Sequence, residues 1–229
     1  ASSSLAEGTK TTMIKFHFTF DKTKNSQILK KKILKQYKNN SPKISDVIVV
    51  GGGDGYMLNT LKKYLKFKKP FYGINCGTYG FLMNKHVTKN LEKKITKAKK
   101  TTINPLQIVS YNNKICKKPL IAVNEVSLFR QTKQTASLKL QIEKKTIIQK
   151  LIGDGVLIST PAGSTAYNLS VHGPILSLNS GKLAITPISP FRPRRWKGKI
   201  ISNNLKIKLT NLDPKKRPVA AVADNIEIR

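Results

Sequence analysis

The N-terminal part of the chain alternates between short apolar runs and longer stretches with apolar residues at helical spacing. Val47 to Val50 is a run of β-branched residues that ends in glycine, which is typical of a strand buried on both faces of a parallel sheet. The order β-α-β-α-β-α over residues 13 to 100 predicts an α/β N-terminal domain with a parallel sheet. The predicted strands are residues 14–20, 47–50 and 71–74, and the predicted helices are residues 26–37, residues 57–65 and a third that follows a cap at Thr88 and carries Leu91, Ile95 and Ala98.

The pattern changes after residue 100, where short strand-like runs dominate. These runs predict a mostly β C-terminal domain over residues 101 to 229. The predicted strands are residues 106–111, 120–123, 137–142, 156–159, 183–186, 205–209 and 219–222. Residues 1 to 12 are mostly small and polar and precede the first methionine, so we expect a disordered tail or a remnant of expression there.

A glycine loop with one acid follows the Val47 to Val50 strand. Gly51, Gly52, Gly53 and Gly55 surround Asp54, and the next helix is predicted to begin at this point. Glycine allows φ > 0 and brings backbone N–H groups close to a ligand, and a helix N-terminus favours phosphate. A carboxylate beside phosphate suits Mg²⁺ binding or proton transfer from an attacking hydroxyl. The alternative is a tight turn in which Asp54 caps the helix.

Neither standard phosphate motif fits this loop. It lacks the Gly-Lys-Ser/Thr ending of a P-loop, and Tyr56 occupies the place of the third glycine in a dinucleotide fingerprint. A second glycine-containing loop, Asn75 to Gly80, follows the predicted strand 71–74, at the edge where open α/β sheets bind ligands. Asn75 is therefore a further candidate site residue, whereas Cys76 is interpreted as a small packing residue.

Three polar segments in the predicted β domain are also candidates. Asn124 and Glu125 end the predicted strand 120–123, and Asp154 lies between two glycines. Residues 161–167 form a proline- and glycine-shaped turn, and Tyr167 offers a flat face and a hydroxyl suited to a purine or nicotinamide ring. The alternatives are an ordinary strand end and a structural turn.

Composition limits the class of protein and its partners. The chain has 229 residues with 39% hydrophobic content, and no apolar run approaches the roughly 18 residues that cross a bilayer. We therefore expect a soluble, cytoplasmic protein without a membrane partner. Cys76 and Cys116 form no C-x-x-C motif, which suits a reducing cytosol. The three histidines lack metal-ligand spacing, so we expect no metal site built from a protein cluster alone.

The formal charge of +32 would ordinarily suggest nucleic acid. Most of the basic residues are lysines spread along the whole chain, and arginine, which suits base edges and bidentate phosphate contacts, is scarce. We favour a genome-wide compositional bias as the explanation and expect no specific nucleic acid. The positive field would still steer anionic substrates towards the protein.

Four segments in order resemble the NAD kinase family. They are GGDG at Gly52 to Gly55, NE at Asn124 and Glu125, DG to STPAGSTAYNLS at Asp154 to Ser170, and AITPISP at Ala184 to Pro190. GGDG alone is weak, because diacylglycerol and sphingosine kinases and phosphofructokinases carry similar loops. The STPAGSTAY segment in this order is much more specific.

The resemblance implies transfer of the γ-phosphoryl of ATP, or of a phosphoryl of polyphosphate, to the 2′-hydroxyl of the adenosine ribose of NAD, which gives NADP. It also implies Mg²⁺ or another divalent cation, held through the nucleotide and by Asp54, and a homo-oligomer, either a dimer or a tetramer. Asp54 matches the essential acid, and Gly52, Gly53 and Gly55 match its phosphate loop. The NAD-binding matches are Asp54, Gly55, Asn124, Glu125, Asp154, Thr165, Ala166, Tyr167, Asn168, Leu169 and Ser170, and Asp224 matches a late acid of the family.

The chain departs from the family pattern at several positions. Tyr56 replaces the usual Thr or Ser, Thr78-Tyr79 replaces His-Leu, and Ile152 replaces a dinucleotide-binding arginine of some members. Asn225 follows the late acid, and family members usually continue past the position of Arg229. The rival readings are a lipid or sugar kinase of the same superfamily and a basic nucleic-acid-binding protein.

Overall fold

The computed structural model describes residues 13–78, 80–112, 115, 116 and 118–228. The predicted tail at residues 1 to 12, Tyr79 of the second glycine loop and Arg229 lie outside the described residues. The chain forms two compact units, one up to Lys99 and one from Lys100. The predicted fold class is confirmed, because the first unit contains a parallel sheet with helices and the second is mostly antiparallel β structure. The assignment of these units as separate functional domains stays a prediction.

The N-terminal unit is a three-stranded parallel sheet in the order β1-β2-β3. Its elements are β1 (Phe16–Phe20), α1 (Lys24–Leu34), β2 (Val47–Gly52), α2 (Asp54–Tyr64), a 3₁₀ turn (Leu65–Phe67), β3 (Phe71–Asn75) and α3 (Leu91–Thr96). The central strand β2 is buried at every position. Val47 and Val49 pack in one core cluster with Leu29 of α1, and Ile48 and Val50 pack in another cluster with α2. Helices therefore cover both faces of β2, which explains its uninterrupted apolar sequence.

The C-terminal unit contains two larger antiparallel sheets. The six-stranded sheet has the order β13-β12-β11-β8-β15-β16 and the three-stranded sheet has the order β10-β9-β14, and β4-β7 and β5-β6 form two separate two-stranded pairs. Leu138 and Leu140 of β9 share one core cluster with Ile158 and Ile185 of the larger sheet, so the two sheets pack face to face. The strands are β4 (Leu106–Ile108), β5 (Tyr111–Asn112), β6 (Ile115–Cys116), β7 (Leu120–Ala122), β8 (Glu125–Arg130), β9 (Ala136–Ile142), β10 (Lys145–Gly153), β11 (Gly155–Ser159), β12 (Lys182–Ile188), β13 (Lys199–Ser202), β14 (Ile207–Asn211), β15 (Val219–Ala223) and β16 (Ile226–Ile228), and a short helix α4 spans Tyr167–Ser170.

Several predicted boundaries are corrected by the structure. Helix α1 spans Lys24–Leu34 rather than residues 26–37, and α3 begins after Asn90 rather than a Thr88 cap and ends before Ala98. The predicted strand 106–111 is divided between β4, which ends at Ile108, and β5, which begins at Tyr111. The sequence pattern does not predict β6, which has only two residues, or β8, β10, β13 and β16, each of which carries polar or charged residues that break the apolar pattern. Their pairing with neighbouring strands supplies the stability that their own sequences do not indicate. No helix in the described part of the chain is long and apolar enough to cross a membrane.

Candidate active site

The Asp54 carboxylate is held in place by the loop that follows β3. Asp54 is the first residue of α2, and Gly53 occupies the N-cap position, so the alternative reading of Asp54 as the helix cap is wrong. Its Oδ2 accepts a hydrogen bond from the Phe81 N–H at 2.7 Å, and its Oδ1 accepts one from the Leu82 N–H at 3.0 Å. The carboxylate is therefore fixed in direction at the C-terminal edge of the parallel sheet, where ligands of such sheets bind.

The glycines around Asp54 have two different surroundings. None of Gly51 to Gly55, all of which the structure describes, has a left-handed φ, so the predicted use of φ > 0 in this loop is wrong. A Cβ at Gly51 would lie 2.6 Å from Phe20 Cδ1, so this position is glycine because side chains pack against it. At Gly53 and Gly55 no described atom outside the local backbone lies within 4 Å of the Cβ position. These two positions border open space into which phosphate oxygens could approach the backbone.

Asn75 lies next to the glycine loop because β2 and β3 pair in register. It ends β3 opposite Gly52 and its side-chain Oδ1 accepts a hydrogen bond from the Gly77 N–H at 2.9 Å. Asn75 thus shapes the second loop from the same sheet edge. The neighbouring Cys76 is buried, and burial, together with the negative charge of Asp21, raises the pKa of its thiol despite a hydrogen bond with Ser26. Cys76 therefore fits the packing role expected from the sequence.

The predicted strand that ended in Asn124 and Glu125 is corrected by the structure. Strand β7 ends at Ala122, Asn124 lies in a bend, and Glu125 begins β8. The Asn124 carbonyl accepts a hydrogen bond from the Thr160 N–H at 2.9 Å. A Cβ at Gly163 would lie 2.3 Å from the same carbonyl oxygen, so only glycine fits this approach. The STPAG turn and the Asn124–Glu125 pair are therefore one packed structure.

Asn124 carries a buried acceptor that suits a ligand. Its side-chain Oδ1 is buried and makes no hydrogen bond to any of the residues that the structure describes. A buried amide oxygen in this state costs free energy unless a donor reaches it. An exocyclic amine or a ribose hydroxyl would supply such a donor.

Asp224 lies in the turn between β15 and β16 and contacts the same bend. Its Oδ2 accepts a hydrogen bond from the Val123 N–H at 2.9 Å, and its Oδ1 accepts from the N–H groups of Asn124 at 2.9 Å and Glu125 at 3.2 Å. The contact brings together residues that are about a hundred positions apart. Asp224 therefore belongs to the structure around Asn124 and Glu125.

Asp154 lies between β10 and β11 and pairs with Arg130. The Arg130 Nε donates to Asp154 Oδ1 at 2.5 Å, and both side chains are about one-third exposed, at 36% and 35%. A Cβ at Gly155 would lie 1.9 Å from the Leu128 carbonyl oxygen, so this glycine is required for strand packing. The acid-and-glycine pattern at Asp154 thus has a different cause from that at Asp54.

The charges of two candidate acids, Asp154 and Glu125, act on Tyr167. Burial raises the pKa of the Tyr167 hydroxyl, and the negative charges of Asp154 and Glu125 add to the shift. Its ring contacts that of Phe129 with centroids 5.7 Å apart, and the residue is 37% exposed. The structure therefore brings Glu125, Asp154 and Tyr167 into one neighbourhood with an accessible aromatic side chain.

The remaining residues of the STPAGSTAYNLS segment divide into inward and outward positions. Asn168 is fully buried, and its amide donates to the Pro174 carbonyl at 2.9 Å and accepts from the Thr186 hydroxyl at 2.7 Å. The half-buried residues are Thr165 and Ala166, and the exposed residues are Leu169 and Ser170. Binding of dinucleotide by Thr165 to Ser170 stays a prediction. The contacts of Asn168 indicate that this residue shapes the turn.

Sequence reasoning missed four residues of this region. Arg130 and Phe129 carry no local signal, because their partners Asp154 and Tyr167 lie on other elements. The other two, Thr160 and Gly163, lie inside the quoted motif, where the proline and glycine indicated a turn but not its contact with Asn124. Among the described residues no group of three or more His, Cys, Asp or Glu side chains could hold a metal ion.

Comparison with known proteins matches the chain to one family. A family model described as the ATP-NAD kinase C-terminal domain matches residues 123–228. The NAD kinase of Brucella melitensis is 44% identical over 220 residues, which cover 96% of this chain and 86% of the relative. The NAD kinase of Zymomonas mobilis is 50% identical over 191 residues, which cover 81% of this chain and 72% of the relative.

Solved structures show the same fold. An NAD kinase from Archaeoglobus fulgidus, crystallised with ATP, superposes with a TM-score of 0.74 at 23% identity, covering 94% of this chain and 86% of the other. A yeast NADH kinase complexed with NADH gives a TM-score of 0.70 at 24% identity, covering 84% and 58%. Because 96% of this chain aligns with the Brucella melitensis enzyme at 44% identity, this chain belongs to the NAD kinase family.

Proposed function

We propose that this protein is an NAD kinase that transfers the γ-phosphoryl of ATP to the 2′-hydroxyl of the adenosine ribose of NAD, giving NADP. The observation that carries the proposal is the carboxylate of Asp54, fixed by the N–H groups of Phe81 and Leu82 beside the open backbone of Gly53 and Gly55. Relatives at 44% and 50% identity are NAD kinases, and nothing favours a lipid kinase or a nucleic-acid-binding protein. Polyphosphate is the alternative donor.

Asp54 is proposed as the base of the reaction. Its oxygens each accept one backbone N–H group, and a carboxylate oxygen has a second lone pair that can accept the proton of the 2′-hydroxyl. Phosphoryl transfer depends mainly on positioning and charge neutralisation. The N–H groups at Gly53 and Gly55 and the N-terminus of α2 would bind phosphate oxygens.

The donors fit a divalent cation that arrives with the nucleotide. Mg²⁺ prefers oxygen ligands and is commonly bound through one or two carboxylates and substrate phosphates. Asp54 would supply the carboxylate, and the bound cation would neutralise charge on the transferred phosphoryl group. In the second unit, Asn124 and Glu125 would bind the adenosine of NAD, and Asp154 and Tyr167 would contact the nicotinamide side. Requirement for the cation, a dimeric or tetrameric assembly and a cytoplasmic location belong to the same proposal.

The test is NADP formation by the purified protein with NAD, ATP and Mg²⁺, measured through an NADP-specific dehydrogenase. We expect wild type to form NADP and Asp54→Asn to lower turnover by at least ~10²-fold, because asparagine cannot take the proton. Parallel reactions with polyphosphate and with diacylglycerol distinguish the donor and the superfamily alternatives.

Asp46→Asn is the matched control in the same unit. Asp46 is exposed, and its Oδ2 also accepts a backbone N–H, that of Lys15 at 2.8 Å, so the change in charge and hydrogen bonding is similar. We expect turnover close to wild type. Near-normal turnover in Asp54→Asn would reject its proposed role, and no NADP with either donor would reject the function.

A further inference from the structure

We infer that Asp224 is a positioning residue for dinucleotide binding, because its carboxylate fixes the backbone bend that carries Asn124 and Glu125. The inference rests on the proposed function and adds a residue that acts through the NAD-binding pair rather than on the substrate. The resemblance to the family matches Asp224 to a late acid but gives that acid no role. The structure supplies the role through its contacts.

The carboxylate of Asp224 binds three consecutive backbone donors. Val123 and Asn124 lie outside β7 and β8, so their N–H groups have no ladder partner in the strands. Asp224 accepts from both at 2.9 Å and from the Glu125 N–H at 3.2 Å. Hydrogen bonds to an ionised acceptor are about twice as strong as neutral ones, so this contact determines the shape of the bend.

Sheet register fixes Asp224 in front of the bend. Its preceding residue, Ala223, pairs with Val126 of β8, and the Asp224 N–H donates to the Glu125 carbonyl at 3.0 Å. Asp224 has φ of 52°, a left-handed conformation that aspartate and asparagine adopt more readily than most residues. The backbone conformation and the side chain therefore both favour a short polar residue here.

The opposite side of the bend is also fixed. The Thr160 Oγ1 donates to the Val123 carbonyl at 2.7 Å, and the Thr160 N–H donates to the Asn124 carbonyl at 2.9 Å. With its backbone held from both sides, Asn124 presents a buried Oδ1 that has no hydrogen-bond partner among the described residues. A small shift of the bend would move this acceptor away from the hydrogen-bond donor of the ligand. The lost hydrogen bond would weaken binding of that ligand.

Asp224→Asn tests the inference with little change in shape. Asparagine tolerates the left-handed conformation, but its carboxamide presents an NH₂ group to one of the N–H donors that the carboxylate accepts. We expect the KM for NAD to rise about tenfold, the scale of one unsatisfied buried donor, while the KM for ATP changes less than about twofold. We also expect amide hydrogen exchange at Val123, Asn124 and Glu125 to accelerate at least about tenfold.

Asp213→Asn is the matched control. Asp213 is another turn residue of the C-terminal unit, and its Oδ1 accepts the Lys216 N–H at 3.3 Å, so the variant makes the same charge change away from the bend. We expect both KM values, and exchange at the three amides, to match wild type. Calorimetric titration with NAD alone gives an independent measure of dinucleotide affinity for each protein.

Two results would overturn the inference. One is a folded Asp224→Asn protein with unchanged exchange at the three amides. The other is lower thermal stability with an unchanged KM for NAD, since a purely structural residue would act in that way. If wild type forms no NADP, the proposed function fails, and the exchange data with NAD titration still decide whether Asp224 positions the binding pair.

Discussion

Gly163→Ala tests whether the STPAG turn and the Asn124 bend form one rigid structure. The added Cβ would lie 2.3 Å from the Asn124 carbonyl oxygen, 2.5 Å from its carbon and 2.6 Å from its Cα. All three atoms belong to the backbone, so no side-chain rotation relieves the clash. Ordinary contact begins near 3.4 Å, and the Asn124 peptide must therefore move by about 1 Å.

The expected destabilisation follows from this movement. Overpacking of a tight interior costs about 1–3 kcal/mol. A shift of this size also breaks the Thr160 N–H bond to the Asn124 carbonyl, and an unsatisfied buried group costs about 1–3 kcal/mol. We expect the free energy of unfolding to fall by about 2–6 kcal/mol, a large share of the roughly 5–15 kcal/mol typical of a domain. The KM for NAD should rise in the fraction that remains folded.

Urea unfolding followed by tryptophan fluorescence measures this change directly. Trp196 is the single tryptophan of the chain and packs against the core of the C-terminal unit, so its signal reports on the correct unit. Gly181→Ala is the control, because its Cβ would have no described neighbour closer than 4.0 Å although φ is 61°. It should cost only about 1–2 kcal/mol, the penalty of a left-handed alanine. A loss below about 1 kcal/mol for Gly163→Ala, with an unchanged KM for NAD, would refute the reasoning.

Two further variants probe the N-terminal unit. Gly55→Ala has room for the methyl group and lies in the first turn of α2, so it should raise stability by up to about 1 kcal/mol yet lower turnover at least ~10-fold. Thermal melts and NADP formation measure the two effects, and unchanged turnover would exclude close phosphate approach there. Burial raises the pKa of Cys76 above its ordinary 9.0, so its contribution to stability is full below pH 9.0 and is lost as pH rises through the raised pKa. Above pH 9.0, the melting temperature of wild type should therefore fall relative to that of Cys76→Ala. A difference between the two melting temperatures that stays constant with pH would contradict this.

The parallel sheet and the acid at its edge were predictable because their signals are local. The run Val47 to Val50 requires cover on both faces, and the glycine loop with Asp54 follows it directly. The sequence pattern does not predict β8, since Glu125 and Ser127 interrupt its apolar pattern and the strand depends on pairing with β11 and β15. Strand ends that depend on partners are not encoded in the run itself.

The contacts between the candidate residues were not predictable from spacing. Asp154 meets Arg130 across two strands, and Asp224 meets Asn124 across about a hundred residues. The register of β15 on β8 sets the second contact, and a change of one residue would turn Asp224 to the other face. Asn168, part of the most distinctive motif, has its amide buried in bonds to Pro174 and Thr186.

The sequence by itself determined the fold class, the position of Asp54 after a buried strand and the resemblance to NAD kinases. These depend on periodicity and on residue order, which are local properties of the chain. The tertiary structure alone decided which glycines face open space, as at Gly55, and which are fixed by a neighbouring backbone, as at Gly163. The physical reason is that glycine is the same letter in the sequence whether the space beside it is open to a ligand or filled by another part of the backbone.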